Sequence, residues 1–504
     1  MESPTSFYVL VVAVAAYYAT LAFYRLFLDP LARFPGPKAA AVSRWYEAYY
    51  DVFLGGKYTF KIAQLHKEYG PIIRISPYEL HVADPAFFET LYRLDGRWDK
   101  YSWTYDAFGA SNSTVFGSEH DSHKIRRRAI APFFSKPNVL ARQDMLQRYV
   151  DKLCSRISDH RGSTFNLGAA ISAFVRDVTN EYILGKTYND LELDDFGVAI
   201  SIASHGGGTF WRATKHIRWF GPLVKAIPVG MTMRLAGGGT KAFLRFLQQT
   251  RQDTREALEK ATSPAGHTDS GNTQNTMVDA IANSNLPPAE KRPRRVLQEV
   301  GTTLGAGYET TASNLRLVLY HVYSNEAILR RLRRELDGLG STGELADLKQ
   351  LQNLPYLRAV LTEGMRLSPG IATRAARITD KDLLCHEWRI PAGTPVGMTA
   401  YLMHTDEALY PEPMRFDPDR WLGSTGAVAD ARFYAPFSRG TRMCLGMHLA
   451  WSEMYLVLAA LVQGFNFTIK NATAIDFEAE KDNFGIGTRA GSSLHALVTP
   501  CNLQ

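Results

Sequence analysis

Cysteine is scarce in this chain of 504 residues: Cys154, Cys385, Cys444 and Cys501 lie far apart, with no Cys-x-x-Cys pair and no Cys/His cluster at zinc spacing. That excludes a disulfide framework and a structural zinc, and a reducing compartment is expected. A long basic tract is also missing. The formal net charge is only +7, so no nucleic-acid partner is expected; the mild balance suits an anionic membrane surface or an acidic protein. No repeat of fixed period is visible, which excludes solenoid arrays. There is no strand–turn–helix frame for a dinucleotide: the glycine runs Gly206–Gly208 and Gly237–Gly239 lack Gly-x-Gly-x-x-Gly spacing and read as loops. No Lys or Arg precedes the first apolar run, so the basic leader of a cleaved signal peptide is lacking.

That apolar run is the first positive feature. Phe7 to Tyr24 is uncharged and mostly apolar, just long enough to span a bilayer. Tyr17, Tyr18 and Tyr24 suit an interface, and Arg25, Arg33, Lys38 and Arg44 follow, which places the rest of the chain in the cytosol. Residues 1–28 are expected to be an uncleaved anchor and 29–45 a proline-rich hinge around Phe34-Pro35-Gly36-Pro37. Residues 46–504 are expected to form one catalytic domain. The Asn-x-Thr sequences at Asn112 and Asn471 would then stay away from the lumen and unglycosylated.

Hydrophobic content of 45% supports a large core. Periodicity predicts a helix over Lys57–Tyr69 and strand fragments at Ile72–Ile75 and Leu80–Val82, then mainly helix to Glu256. Ala261–Thr276 reads as an exposed loop. A long proline-free helix is predicted over Arg295–Asn325, and short strands at Leu383–Ile390, Thr394–Thr399 and Leu494–Thr499. The fold class is mainly α with a small β region.

Cys444 lies in Phe437-Ser438-Arg439-Gly440-Thr441-Arg442-Met443-Cys444-Leu445-Gly446, ahead of an apolar helical run from Met447 to Val462. Glycines on both sides allow a tight backbone. A thiolate at a helix start gains from the positive helix end. This arrangement offers one soft anionic ligand to a metal or macrocycle; the alternative is a small buried cysteine in a glycine-rich turn. The long helix carries Ala306-Gly307-Tyr308-Glu309-Thr310-Thr311. Ala306 and Gly307 let a flat ligand approach. Thr310 can back-bond to a carbonyl or bind an oxygen ligand, and Glu309 can relay protons; the alternative is a helix kink with a solvated acid. Glu363 and Arg366 stand three apart on one helix face and can pair.

The spacing Phe-x-x-Gly-x-Arg-x-Cys-x-Gly resembles the haem-binding signature of the cytochrome P450 superfamily. The other motifs, in order, are similar to the same family: the anchor and hinge, the acid–Thr pair, Glu363-x-x-Arg366, and Pro418-Asp419-Arg420-Trp421 with Trp in place of Phe. The segments His123–Ser135 and Tyr410–Trp421 look like filamentous-fungal enzymes of secondary metabolism such as trichodiene oxygenase and pisatin demethylase.

The resemblance implies the P450 fold and a haem b whose iron takes Cys444 as axial ligand. Phe437, Gly440 and Gly446 would shape the haem turn, and Ala306 would flank the macrocycle. Arg442, His123, Arg127 and Arg374 would face the haem propionates, with His123 standing where the family has Trp. Glu309 and Thr310 would serve proton delivery during oxygen activation. Glu363, Arg366 and Arg420 would form a buried structural network. Electrons would come from NADPH through NADPH-cytochrome reductase, docked on a basic face that includes Arg126 and Arg128. Location would be the endoplasmic reticulum membrane, single-pass, with the catalytic domain cytosolic.

Family topology directs a hydrophobic substrate toward Trp103, Tyr105, Phe108, Phe116, Ile371 and Ile486. The apolar stretch Phe220–Val229 would be a loop dipping into lipid or buried. The expected substrate is a terpenoid scaffold, otherwise a polyketide or alkaloid. An oxygen-independent haem-thiolate isomerase or dehydratase and a non-catalytic haem sensor are the alternatives.

Overall fold

The computed structural model describes residues 4–235, 237–263, 276–339, 347–423 and 431–500. The chain opens with the helix Pro4–Phe23. Ser6–Leu28 is 23 residues, long and apolar enough to cross a membrane, and none of it is buried against the protein. The proline-rich hinge is not a free linker. Leu31, Phe34, Ala40 and Ala41 are buried, and the Arg74 N–H on the first strand donates to the Pro35 carbonyl at 2.7 Å.

The largest sheet runs, in spatial order, Ile72–Ser76, Glu79–Val82, Val396–Gly397, Arg377–Ile378, Asp99–Lys100. Its pairs are antiparallel except Glu79–Val82 against Val396–Gly397. The expected strand Leu383–Ile390 is instead a hairpin of Leu383–Cys385 and Trp388–Ile390, turning through His386 at φ 51°. Thr394–Thr399 contributes only Val396–Gly397. The last strand, His495–Pro500, pairs with both Thr164–Asn166 and Phe465–Lys470.

Helices make the core. The 32-residue helix Pro293–Ser324 runs through it, about 48 Å long at about 1.5 Å per residue. Pro293 sits in its first turn, where the missing N–H has no partner to lose. Around it pack Leu167–Leu184, Pro355–Leu367 and Met447–Gly464. Their apolar residues form one continuous core with Leu315, Val318, Leu319 and Val322, each worth roughly 1.5–3 kcal/mol of burial.

Two glycine runs read as loops are helical. Gly206–Gly208 lie inside Val198–His216, and Gly238 and Gly239 open Gly238–Thr262. At Gly208 the reason is close packing: a Cβ there would stand 2.3 Å from the Asn483 Cβ, so only glycine lets this helix lie on the hairpin Lys481–Gly487. The apolar stretch read as a loop is two short helices, Phe220–Ala226 and Val229–Leu235. Of the expected loop Ala261–Thr276, residues 264–275 lie outside the described residues; Thr276 caps the helix Met277–Ala282.

Candidate active site

The cysteine turn is built locally. The Cys444 N–H donates to the Phe437 carbonyl at 2.9 Å, and the Phe437 ring packs on Trp451 with centres 6.0 Å apart. Gly440 has φ +73°, and a Cβ there would lie 2.4 Å from the Arg93 carbonyl oxygen. Gly446 caps Met447–Gly464. Solvent reaches Cys444, yet burial pushes its thiol up, opposed by the Gly446 amide and the Arg127 charge. Both facts hold together only if Cys444 faces an internal cavity.

Cations gather beside it. Arg442 is buried and donates to the carbonyls of Gly117 and Ser118 at 2.8 Å each, while its Nε has no partner. Arg127 donates to the Met443 carbonyl at 2.7 Å. Lys100 donates to Val115 O at 2.6 Å and pairs in the sheet with Arg377. Burial, then Arg442 and Arg377, hold the Lys100 amine well below its usual range. Burial and the same cations push His123 down to about 2. Arg442 itself is lowered to about 9, by burial and then Arg377. Among the described residues, none of Lys100, His123, Arg127, Arg377 and Arg442 forms an ion pair. A buried cationic group without counter-charge is costly unless an anion joins it.

The structure sends Arg374 elsewhere. Its guanidinium binds Glu79 at 2.7 Å and Glu47 at 2.9 Å, on the opposite side from the cluster. Arg377, three residues on, joins the cationic cluster in its place. Side chains three apart on extended chain point to opposite faces. Arg126 is also corrected. It is buried in a bidentate pair with Glu290 at 2.7 and 2.8 Å, and a neutralised, buried arginine cannot form a docking face. Arg128 is exposed.

On the long helix, Gly301, Gly305 and Ala306 are exposed although they lie mid-chain in the core helix. No neighbouring atom comes within 4 Å of a Cβ placed on Gly301 or Gly305. This bare face is where a flat group can lie. Thr310 Oγ1 donates to the Ala306 carbonyl at 2.9 Å. Glu309 accepts from Arg316 Nη2 at 2.7 Å and lies 3.3 Å from His205 Nε2. Burial would raise its carboxyl, but Arg316 and His205 hold it well below the ordinary range. Neither partner was foreseen, although Arg316 sits two turns along the same helix.

Glu363, Arg366 and Arg420 do come together. Arg366 meets Glu363 through two bonds of 2.8 and 2.7 Å, both side chains fully buried, and Arg420 Nε stands 3.3 Å from Glu363. The Trp421 indole N–H donates to Glu363 at 2.9 Å, a bond that Phe at this position would not make.

The foreseen substrate residues divide. Trp103 is sandwiched between Arg44 at 3.5 Å and Arg218 at 4.2 Å. Ile486 is buried with Ala372 and Tyr401, and Ile371 bridges to Gly485. Tyr105, Phe108 and Phe116 instead join Trp211 and Phe484 in one group of rings.

The Cytochrome P450 family model matches residues 46–493. The chain belongs to the cytochrome P450 family. This P450 is 37% identical to cytochrome P450 monooxygenase tpcC of Cochliobolus heterostrophus, over 92% of this chain and 88% of that one. It is 36% identical to tryptophan 6-hydroxylase fscE of Fusarium equiseti, over 92% and 91%. It is 32% identical to cytochrome P450 monooxygenase TRI4 of Fusarium sporotrichioides, over 94% and 92%. It is therefore an oxidoreductase of the monooxygenase type, and the family implies haem. The residues present fit that group: a solvent-reachable soft ligand, a bare helix face, and cations with an orphaned guanidinium nitrogen to receive two carboxylates.

Proposed function

We propose that this P450 inserts one oxygen atom of O2 into a hydrophobic secondary-metabolite scaffold. The other atom leaves as water, with two protons and two electrons that NADPH supplies through NADPH-cytochrome reductase. The observation that carries the reading is the cationic cluster without counter-charge beside Cys444. Cys444 would hold haem b through its thiolate, with Arg442, Arg127, Arg377, Lys100 and the neutral His123 facing the propionates. Haem, when bound, supplies the electron transfer and oxygen chemistry that side chains lack.

The chain's own residues do the rest. Glu309, kept ionised by Arg316 and His205, orients a proton path without holding the proton itself. Thr310 gives its hydrogen to Ala306 O, which leaves its oxygen lone pairs free to accept one from water. The Glu363–Arg366–Arg420 set fixes the chain around the cysteine turn.

The anchor Ser6–Leu28 supports a single-pass position on the endoplasmic reticulum membrane, facing the cytosol. Exposed Trp45, Tyr49 and Phe53 on one element and Trp219, Leu223 and Ile227 on another support lipid contact; the 2.5 Å pair Asp51–Lys215 ties the first to the end of the helix Val198–His216, which leads into the second. Within the scaffold range of terpenoid, polyketide or alkaloid, family frequency puts terpenoid first, while a relative is named as a tryptophan 6-hydroxylase. The intact Glu309-Thr310 pair favours a monooxygenase over an oxygen-independent isomerase or dehydratase.

The test is expression with a fungal reductase in yeast microsomes. A thiolate-type spectrum of the reduced, carbon-monoxide-bound protein is expected, with products one oxygen heavier than the scaffold. Product that forms without NADPH and O2 would overturn the monooxygenase reading.

A further inference from the structure

Three segments far apart in sequence are fastened to one another and to the stripe of the long helix that carries Glu299, Ala306 and Thr310. The stretch Tyr105–Phe116 is fastened to that helix at one end, where Thr114 N–H and Oγ1 donate to Glu299 at 3.0 and 2.9 Å. The hairpin Lys481–Gly487 is fastened near the other: Ile486 N–H donates to Gly370 O at 3.1 Å, and a Cβ on Gly370 would lie 3.4 Å from Thr310. Glu299 and Thr310 are about 16 Å apart along the helix axis, at about 1.5 Å per residue. Ala306 lies between them on the same stripe, because residues seven and eleven apart share a helix face. The helix Val198–His216 spans the two fastened segments, because Trp211 Nε1 donates to Thr104 O at 2.9 Å and Gly208 lies against Asn483.

What these segments bring together is aromatic. Phe108 and Phe116 stack with centres 4.0 Å apart and planes 6° apart. Phe484 meets Phe108 edge-on at 4.9 Å, Trp211 at 5.6 Å and Tyr105 at 5.9 Å. None of the five rings belongs to the buried hydrophobic clusters of the fold, and Phe108, Phe116 and Phe484 are only half-buried. Phe484 also holds φ +71°, a conformation that bulky side chains rarely adopt. Ala372 N–H and Thr373 N–H bind its carbonyl at 3.0 and 3.3 Å, and Asp482 accepts from its N–H at 2.9 Å. Phe484 is the tip of the hairpin, between the paired Asn483 and Gly485, and this turn, pinned from both sides, fixes the direction of its ring.

We infer that the substrate of this P450 carries a planar aromatic ring system, received against Phe108, Phe116 and Phe484, and that Phe484 is the residue that sets this preference. The inference rests on the monooxygenase reading for the position of the reacting atoms. It moves the scaffold from the terpenoid expectation to the aromatic end of the polyketide and alkaloid range. Aromatic faces and edges carry opposite partial charge, so ring–ring contacts add to the burial that any apolar molecule would gain.

The test uses the full-length, haem-loaded protein and equilibrium dialysis of two bicyclic probes with the same ten carbons: flat naphthalene and puckered trans-decalin. Burial alone does not favour naphthalene. The expected result is naphthalene bound about tenfold more tightly, from two ring–ring contacts, with the ratio falling to about threefold when Phe484→Leu removes one of them. Phe116→Leu is measured alongside and decides the matter if Phe484→Leu does not retain haem. Equal affinities in the unaltered protein, or a preference that both substitutions leave undiminished, would overturn the inference. The thiolate-type spectrum is recorded before any probe is added. Its absence would sink the monooxygenase reading; an intact spectrum with no aromatic preference sinks only the inference.

Discussion

Two buried charge assemblies in this P450 use the same residue types and come out opposite. In one, Glu47, Asp51 and Glu79 face Lys215 and Arg374, with His216 3.3 Å from Asp51. Burial would raise the Glu47 carboxyl, but Arg374 and Lys215 hold it well below its usual range. Burial would lower Lys215, but Asp51 and Glu47 raise it. In the other, Lys100, His123, Arg127, Arg377 and Arg442 face one another, and Lys100 and His123 are driven down. In the first assembly every carboxylate has a cation within the chain. With Lys215 Nζ already 2.9 and 2.5 Å from Glu47 and Asp51, the Glu47–Asp51–His216 trio has its cation and no need of a metal. The second is complete only with an anionic ligand. Charge balance, more than charge content, separates structure from site.

The largest effect is expected from Cys444→Ser, which removes the one soft ligand next to the unbalanced cluster. The thiolate-type spectrum should vanish and NADPH-dependent turnover should fall to background; a surviving spectrum would give the ligand role to another residue. Glu363→Ala strips the counter-charge from a balanced, fully buried pair. The cost is about 3–5 kcal/mol, and no haem-loaded protein should accumulate. Normal haem content in that variant would remove the pair from the structural account.

A matched pair of substitutions sharpens the comparison itself. Lys215→Met leaves Glu47 with Arg374 alone and Asp51 with His216 alone, and should cost about 3 kcal/mol with or without haem. Lys100→Met removes a desolvated, repelled amine. The depressed amine weakens the haem-free fold as pH falls below its unfolded value of about 10.4. The haem-free protein should therefore gain about 1 kcal/mol at pH 7, while haem retention falls. Thermal unfolding of both forms checks this, and a Lys100→Met variant destabilised without haem would end the distinction.

The smallest effect concerns Glu453 on the cysteine helix, buried and raised to about 8 by burial, against a bond from Thr311. Its folded value lies above the unfolded value of about 4.3. The stability it contributes is therefore complete below about pH 4.3 and lost as pH rises toward 8. Glu453→Gln should raise the unfolding midpoint at pH 8 by the equivalent of about 1–3 kcal/mol and change little at pH 4. A gain that does not depend on pH would show that ionisation is not the cause.

The long helix, the cysteine turn and the Glu363–Arg366 pair were legible because each is made within a few consecutive residues, where spacing fixes geometry. The glycine runs were misread because Gly208 answers to Asn483, 275 positions away, and no local signal reports that. Trp421 looked like a departure from a pattern until its indole was seen to donate to Glu363.

The sequence by itself determined the reaction class, the candidate iron ligand and the candidate membrane span, since these depend on motif and composition along the chain. Tertiary structure decided which arginine joins the cationic cluster and which is neutralised. It decided that Glu309 is held ionised, and that five rings from three segments form one group. Coulomb and contact energies follow distance through space, and a sequence gives distance only along the chain.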